Sequence, residues 1–174
     1  MFKKILVANR GEIAVRIIRA CKELNIKTVA IHSNVDTEAM HVKLADESVC
    51  VGNALPNKSY LNIPSIMSAI NITNADAVHP GYGFLSENDK FAKILSSHKV
   101  KFIGPSSKSI LELGNKSNAL NLASDFKLPI LGNKKSKNIK NNSEALKIAN
   151  EIGLPIVIKA AYGGGGKGMR VFNN

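Results

Sequence analysis

Short apolar runs alternate along the chain with stretches whose apolar residues recur at helical spacing. Residues 3–8 read as a buried strand, and Ile13, Ile17, Cys21 and Leu24 follow three or four positions apart, the period of one helix face. The alternation then repeats. Strands are predicted at 27–32, 47–51, 75–79 and 100–103, with helices at 37–44, 63–70 and 87–96 between them. Strands alternating with helices of this length make βαβ units, which build an open parallel sheet. The expected fold class is therefore α/β, with a Rossmann-like first domain at 1–104 that Gly104-Pro105 closes.

Two short helices are predicted next, at 107–113 and 116–126, and Pro129 ends their pattern. Residues 133–142 are polar and rich in Lys and Asn, which suits a surface loop or edge hairpin. A helix at 143–152 follows, with Ser143 as its expected N-cap and Gly153 as its stop. Leu154-Pro155 leads into a strand at Ile156–Lys159, and Met169–Phe172 is a second strand beyond a run of glycines. There are no internal repeats.

That glycine run is the most informative stretch. Gly163, Gly164, Gly165 and Gly166 stand together, followed by Lys167 and Gly168. Glycine loses much backbone entropy on ordering, so four in a row are a poor choice for a purely structural turn. They suit a loop whose amides approach an anion closely, with Lys159 and Lys167 supplying charge on either side. A flexible hairpin tip is the alternative reading. A Walker A loop is excluded because Gly168, not Ser or Thr, follows Lys167, and a strand follows in place of a helix. A dinucleotide fingerprint also opens a helix, and this loop does not. A glycine hairpin serving as a lid over nucleotide phosphates is the geometry of ATP-grasp enzymes. Lys159, beside Ile156, Val157 and Ile158, is expected to need an anionic partner to offset desolvation.

Composition narrows the reading. Hydrophobic residues make up 44% of the 174 positions, enough for a substantial core, and no apolar run reaches the roughly 18 residues that a bilayer span needs. The first eight residues do not form a signal peptide, so a cytoplasmic protein without membrane contact is expected. Cys21 and Cys50 match no metal or redox spacing. Both are expected to be reduced core residues. His32, His41, His79 and His98 do not cluster, and no metal site is expected in this chain.

The net charge of +11 raises nucleic acid as a ligand. The basic residues argue against it, being 20 Lys to 4 Arg and scattered along the chain. Residues 104–174 carry +7 against +4 for 1–103, and the more basic part holds the glycine loop. At the first strand-to-helix turn, Asn9-Arg10-Gly11-Glu12 has one glycine where dinucleotide-binding domains carry several. The first domain reads as a Rossmann scaffold without that cofactor.

Several segments together resemble the N-terminal part of biotin carboxylase, the ATP-grasp component of biotin-dependent carboxylases. They are residues 4–19 (KILVANRGEIAVRIIR), 45–47 (ADE), 59–61 (SYL), 79–88 (HPGYGFLSEN), 102–105 (FIGP), 114–116 (GNK) and 159–171. The resemblance is collinear over essentially the whole chain. It implies a pre-ATP-grasp domain at 1–104, a helical connector at 105–130 and the start of an ATP-grasp lid domain at 131–174.

The resemblance also implies an activity. The family uses ATP and bicarbonate to form carboxyphosphate, then carboxylates biotin on a carrier protein or domain, with magnesium and positioned cations carrying the phosphoryl chemistry. A carboxyltransferase then uses the carboxyl group, as in acetyl-CoA carboxylase of fatty acid biosynthesis. By resemblance, Lys116, Lys159, Gly163, Gly164, Gly165, Gly166, Lys167, Gly168 and Met169 bind ATP. Lys116 reads otherwise as a solvent-facing lysine at a helix start. Tyr82 and Gly83 either seat biotin or belong to a rigid turn supporting the site. Glu87 is on the same side or a helix-start carboxylate only. Arg16, Arg19 and Glu23 form a solvated helix face with one intrahelical pair, or a homodimer contact.

Two departures stand out: Asn115 where the family usually has Asp, and Leu131-Gly132 in place of Pro-Gly. The adenine clamp, the magnesium ligands and the catalytic residues are expected beyond Asn174, so the isolated 174 residues are expected to be inactive. The alternative is a naturally truncated product acting at most as a nucleotide-binding or interaction module.

Overall fold

Five parallel strands dominate the computed structural model, which describes residues 1–129, 139, 141–159 and 169–173, apart from the side chains of Lys116 and Ser117. The chain divides into two units, Met1–Ile110 and Leu111–Asn174. The first runs β1 (Lys4–Val7), α1 (Gly11–Glu23), β2 (Lys27–Ser33), α2 (Met40–Leu44), β3 (Glu47–Gly52), α3 (Ile63–Thr73), β4 (Ala77–His79), α4 (Asp89–Ser97) and β5 (Lys101–Phe102). Strand order is β3-β2-β1-β4-β5. The chain thus builds outward from β1 to β3, then returns to lay β4 on the other side of β1.

Ile5, Leu6 and Val7 are 4%, 0% and 0% exposed, so β1 is covered on both faces, as parallel strands are. Successive side chains alternate between faces. Ile5, Val7, Ala30 and Ala77 join Ala14, Ile17, Ile18 and Cys21 of α1 in one core. Leu6, Val29, Ile31 and Val78 join Ile66 and Ile70 of α3 and Phe91 and Leu95 of α4 in the other. The helices start where side chains satisfy their free amides. Asn62 accepts from Ser65 N at 3.3 Å to open α3, and Asn88 accepts from Phe91 N at 2.8 Å to open α4.

Some expectations are corrected. Cys21 is buried, which pushes its thiol pKa up, but Cys50 is exposed, because β3 is an edge strand that leaves Glu47, Ser48 and Cys50 uncovered. The second helix begins at Met40, not at 37, since Asp36 N bonds Ser33 O and Ala39 N bonds Asp36 O in turns before it. The fourth begins at Asp89, two residues after Glu87.

α5 (Ser107–Gly114) crosses the division between the units, and the second continues with α6 (Lys116–Asp125), α7 (Asn142–Ile152), β6 (Ile156–Lys159) and β7 (Met169–Phe172). The Asn115 side chain accepts from Asn118 N at 3.1 Å, so it caps the start of α6. Ser143 does not cap α7; Asn141 does, accepting from Glu144 N at 2.9 Å. β6 and β7 pair antiparallel from Ile156↔Phe172 to Lys159↔Met169. Apart from Ile139, Asn141 and Asn142, the expected loop at 133–142 lies outside the described residues.

Candidate functional site

β1 and β4 are neighbours, yet the helices that follow them, α1 and α4, pack on opposite faces of the sheet. Loops that part in this way leave a crevice at the carboxyl ends of the strands, where open α/β sheets hold ligands. Asn9 ties its two walls together. Only 3% exposed, it donates through Nδ2 to Pro80 O at 2.7 Å and Tyr82 O at 2.8 Å. Its Oδ1 accepts from Arg10 N at 2.9 Å.

The second wall is the turn His79-Pro-Gly-Tyr-Gly-Phe84. Gly81 has φ +64°, and a Cβ there would lie 2.8 Å from Asn9 Nδ2, so both backbone and space demand glycine. Gly81 N donates to His79 Nδ1 at 3.0 Å, which places the imidazole proton on Nε2. Burial lowers the His79 pKa and favours the same neutral form. Tyr82 is 61% exposed, and its hydroxyl donates to the Glu12 carboxylate in the first turn of α1. That bond raises the phenol pKa. Gly83, at φ +67°, has open space where a side chain would be.

Behind the turn stands a cluster that the sequence did not reveal. Phe84 stacks on the fully buried Tyr60, with ring centroids 5.3 Å apart and an interplanar angle of 17°. The Arg10 guanidinium lies 5.3 Å from the Tyr60 centroid and 5.9 Å from that of Phe84, within cation–π range. Asp36 Oδ2 accepts from Tyr60 Oη at 2.6 Å, Ser33 Oγ at 2.7 Å and Arg10 Nη1 at 3.3 Å. Burial pushes the Asp36 carboxyl up, but these bonds outweigh it and hold the pKa below its ordinary value. Burial, then the bond to Asp36, pushes the Tyr60 phenol up to about 12.

Of the residues singled out in the sequence, Tyr82 and Gly83 line the crevice together with Glu12. Glu87 is exposed between the turn and α4. Arg16, Arg19 and Glu23 line an open groove with Met40 and His41, and no ion pair links either arginine to Glu23. Lys159 is exposed at the end of β6, so the desolvation argued for it does not occur. It pairs in register with Met169, 48% exposed, and residues 160–168 connect the two. Gly163, Gly164, Gly165, Gly166, Lys167 and Gly168 lie outside the described residues, as does the Lys116 side chain. Among the described residues no group of three His, Cys, Asp or Glu side chains is placed to hold a metal ion.

Comparison with known proteins assigns both parts of the chain. Residues 1–110 match the biotin carboxylase N-terminal domain, and 115–174 match the ATP binding domain of the carbamoyl-phosphate synthase L chain. The chain belongs to the biotin carboxylase family.

It is 51% identical to the biotin carboxylase of Nostoc over 170 residues, covering 98% of this chain and 38% of that protein. It is 55% identical to the human mitochondrial propionyl-CoA carboxylase alpha chain, again over 98% of this chain but 23% of that one. In structure it resembles the biotin carboxylase domain of Hydrogenobacter thermophilus 2-oxoglutarate carboxylase, a dimer in complex with MgADP, ADP and bicarbonate. There the TM-score is 0.95 at 46% identity, over 100% of this chain and 38% of that one. Campylobacter jejuni biotin carboxylase gives a TM-score of 0.93 at 46% identity, over 100% and 39%. The chain thus spans 23–38% of the length of the first two relatives.

Proposed function

We propose that the chain is the N-terminal part of a protein that uses ATP and bicarbonate to carboxylate biotin on a carrier protein or domain. One observation carries the reading: the match to a biotin carboxylase extends over 98% of the chain. The turn at 79–84, at the switch-point crevice, agrees with it. Residues 1–104 form the pre-ATP-grasp domain, 105–130 a helical connector and 131–174 the start of the lid. Lys116, Lys159, Gly163, Gly164, Gly165, Gly166, Lys167, Gly168 and Met169 are the residues that bind ATP in this reading.

The exposure of Lys159 fits this role, since an exposed ammonium at the mouth of a hairpin is free to meet a phosphate. Such cations neutralise charge developing on the transferred phosphoryl group. Magnesium would supply further neutralisation of the phosphate charge, and its protein ligands are expected outside this chain. Tyr82 and Gly83, with Glu87 nearby, face biotin and bicarbonate. Arg16, Arg19 and Glu23 form a homodimer contact. The acceptor, whether acetyl-CoA, propionyl-CoA or another, is selected by a carboxyltransferase; relatives of more than one kind match this chain, at 51% and 55% identity.

The test uses the whole native polypeptide. ATP hydrolysis that depends on bicarbonate and rises with free biotin is expected, and Lys159→Ala is expected to reduce it by about two orders of magnitude. Hydrolysis indifferent to biotin would overturn the reading, and normal turnover in the variant would remove Lys159 from the site. The isolated 174 residues are expected to turn over no ATP.

A further inference from the structure

Phe84 has φ +41°, a left-handed conformation that a bulky residue adopts at a cost. Such a conformation persists only where the surroundings over-determine it. Those surroundings are the Tyr60 ring, stacked on Phe84 at 5.3 Å, and the Arg10 guanidinium, which sits over both rings. One atom meets both: Asp36 Oδ2 accepts from the Tyr60 hydroxyl at 2.6 Å and from Arg10 at 3.3 Å, while the buried Tyr60 also accepts from Ser33 N at 3.1 Å. Asp36 also takes the Ser33 hydroxyl at 2.7 Å, which fixes the carboxylate against the end of β2. Phe84 is two residues from Tyr82 and adjacent to Gly83, the residues that face the crevice.

We propose that Asp36 is a positioning residue for the 79–84 turn: by gathering Tyr60 and Arg10 on one oxygen it holds Phe84 in place, and so sets how Tyr82 and Gly83 present themselves to biotin. The biotin part rests on the function proposed above; the ordering of the turn does not. Among the described residues Asp36 makes no hydrogen bond to the turn itself; it acts through the two rings. Its loss therefore differs from the loss of a merely structural carboxylate. Asp46, which also takes a hydroxyl, an amide and a cation, but on the Lys27–Thr28 side of the sheet, is the matched control.

The experiment compares Asp36→Asn, Asp36→Ala, Tyr60→Phe and Asp46→Ala in the whole native polypeptide. The measurements are the KM for free biotin, the KM for ATP, the thermal midpoint and hydrogen exchange at the Ser86 amide, which donates to Gly83 O at 2.9 Å. Asp36→Ala is expected to raise the biotin KM about tenfold, with the ATP KM unchanged and Ser86 exchange faster. Asp36→Asn and Tyr60→Phe, which disturb the cluster less, are expected to show smaller shifts of the same pattern. Asp46→Ala is expected to lower the midpoint without moving the biotin KM. Wild-type Ser86 exchange in Asp36→Ala, or a biotin KM that moves only in step with the ATP KM, would overturn the proposal. Should the native protein ignore biotin altogether, the proposed function fails by itself. Ser86 exchange then decides the turn: faster exchange sustains the positioning role and unchanged exchange ends it.

Discussion

Asp46 sits just before β3 and holds the start of β2. Its Oδ1 accepts from Lys27 Nζ at 2.7 Å, and its Oδ2 accepts from Thr28 N and Thr28 Oγ1 at 2.9 Å each. The Lys27 bond is the largest cause of a carboxyl pKa lowered to about 2. A carboxyl whose pKa is lower folded than unfolded stabilises the native state above the unfolded value, and that stability is lost as pH falls through the folded value. The window here lies between the ordinary 3.8 and about 2. Asp46→Ala is expected to cost about 1–2 kcal/mol at pH 7, read from urea unfolding. The difference between variant and wild type should shrink as the pH is taken from 5 to 2.

At the scale of elements, β1 and α1 were legible because their burial follows local sequence: a strand covered on both faces, and a helix stripe in which Ile17 and Cys21 are buried as read. Ala14 and Ile18 complete the stripe, and Leu24, past the helix end, is exposed. The edge position of β3 was not legible, since 47–51 reads as a strand like the others with Cys50 inside it, and only strand order shows that β3 is an edge, where Cys50 is exposed. The start of α7 turned on geometry. Asn141 and Ser143 both carry a capping oxygen, and it is Asn141 whose side chain reaches the amide three residues on. Asn141→Ala is expected to destabilise α7 by about 1 kcal/mol and Ser143→Ala to change little, measured by exchange of the α7 amides. In the site, the turn at 79–84 was visible as a motif. The cluster behind it was not, because Asp36 meets Tyr60 and Arg10 across 24 and 26 residues of chain and no local period links them.

For the first unit as a whole, the sheet's own backbone stands between two apolar cores, one under α1 and the other under α3 and α4. A sheet so placed is a thermodynamic partition. A side chain shortened on one face leaves its gap among neighbours that do not touch the other face, so the unit has two separate tolerances for sequence change. Ile18→Val lies in one core and Ile70→Val in the other. Their destabilisations are expected to sum within about 0.5 kcal/mol in denaturant unfolding. Ile66→Val combined with Ile70→Val, one helical turn apart in a single core, is expected to depart from the sum. Drift in one layer can thus proceed without waiting for compensation in the other, while the loops at the sheet's carboxyl edge, which draw on both layers, inherit the constraints of each.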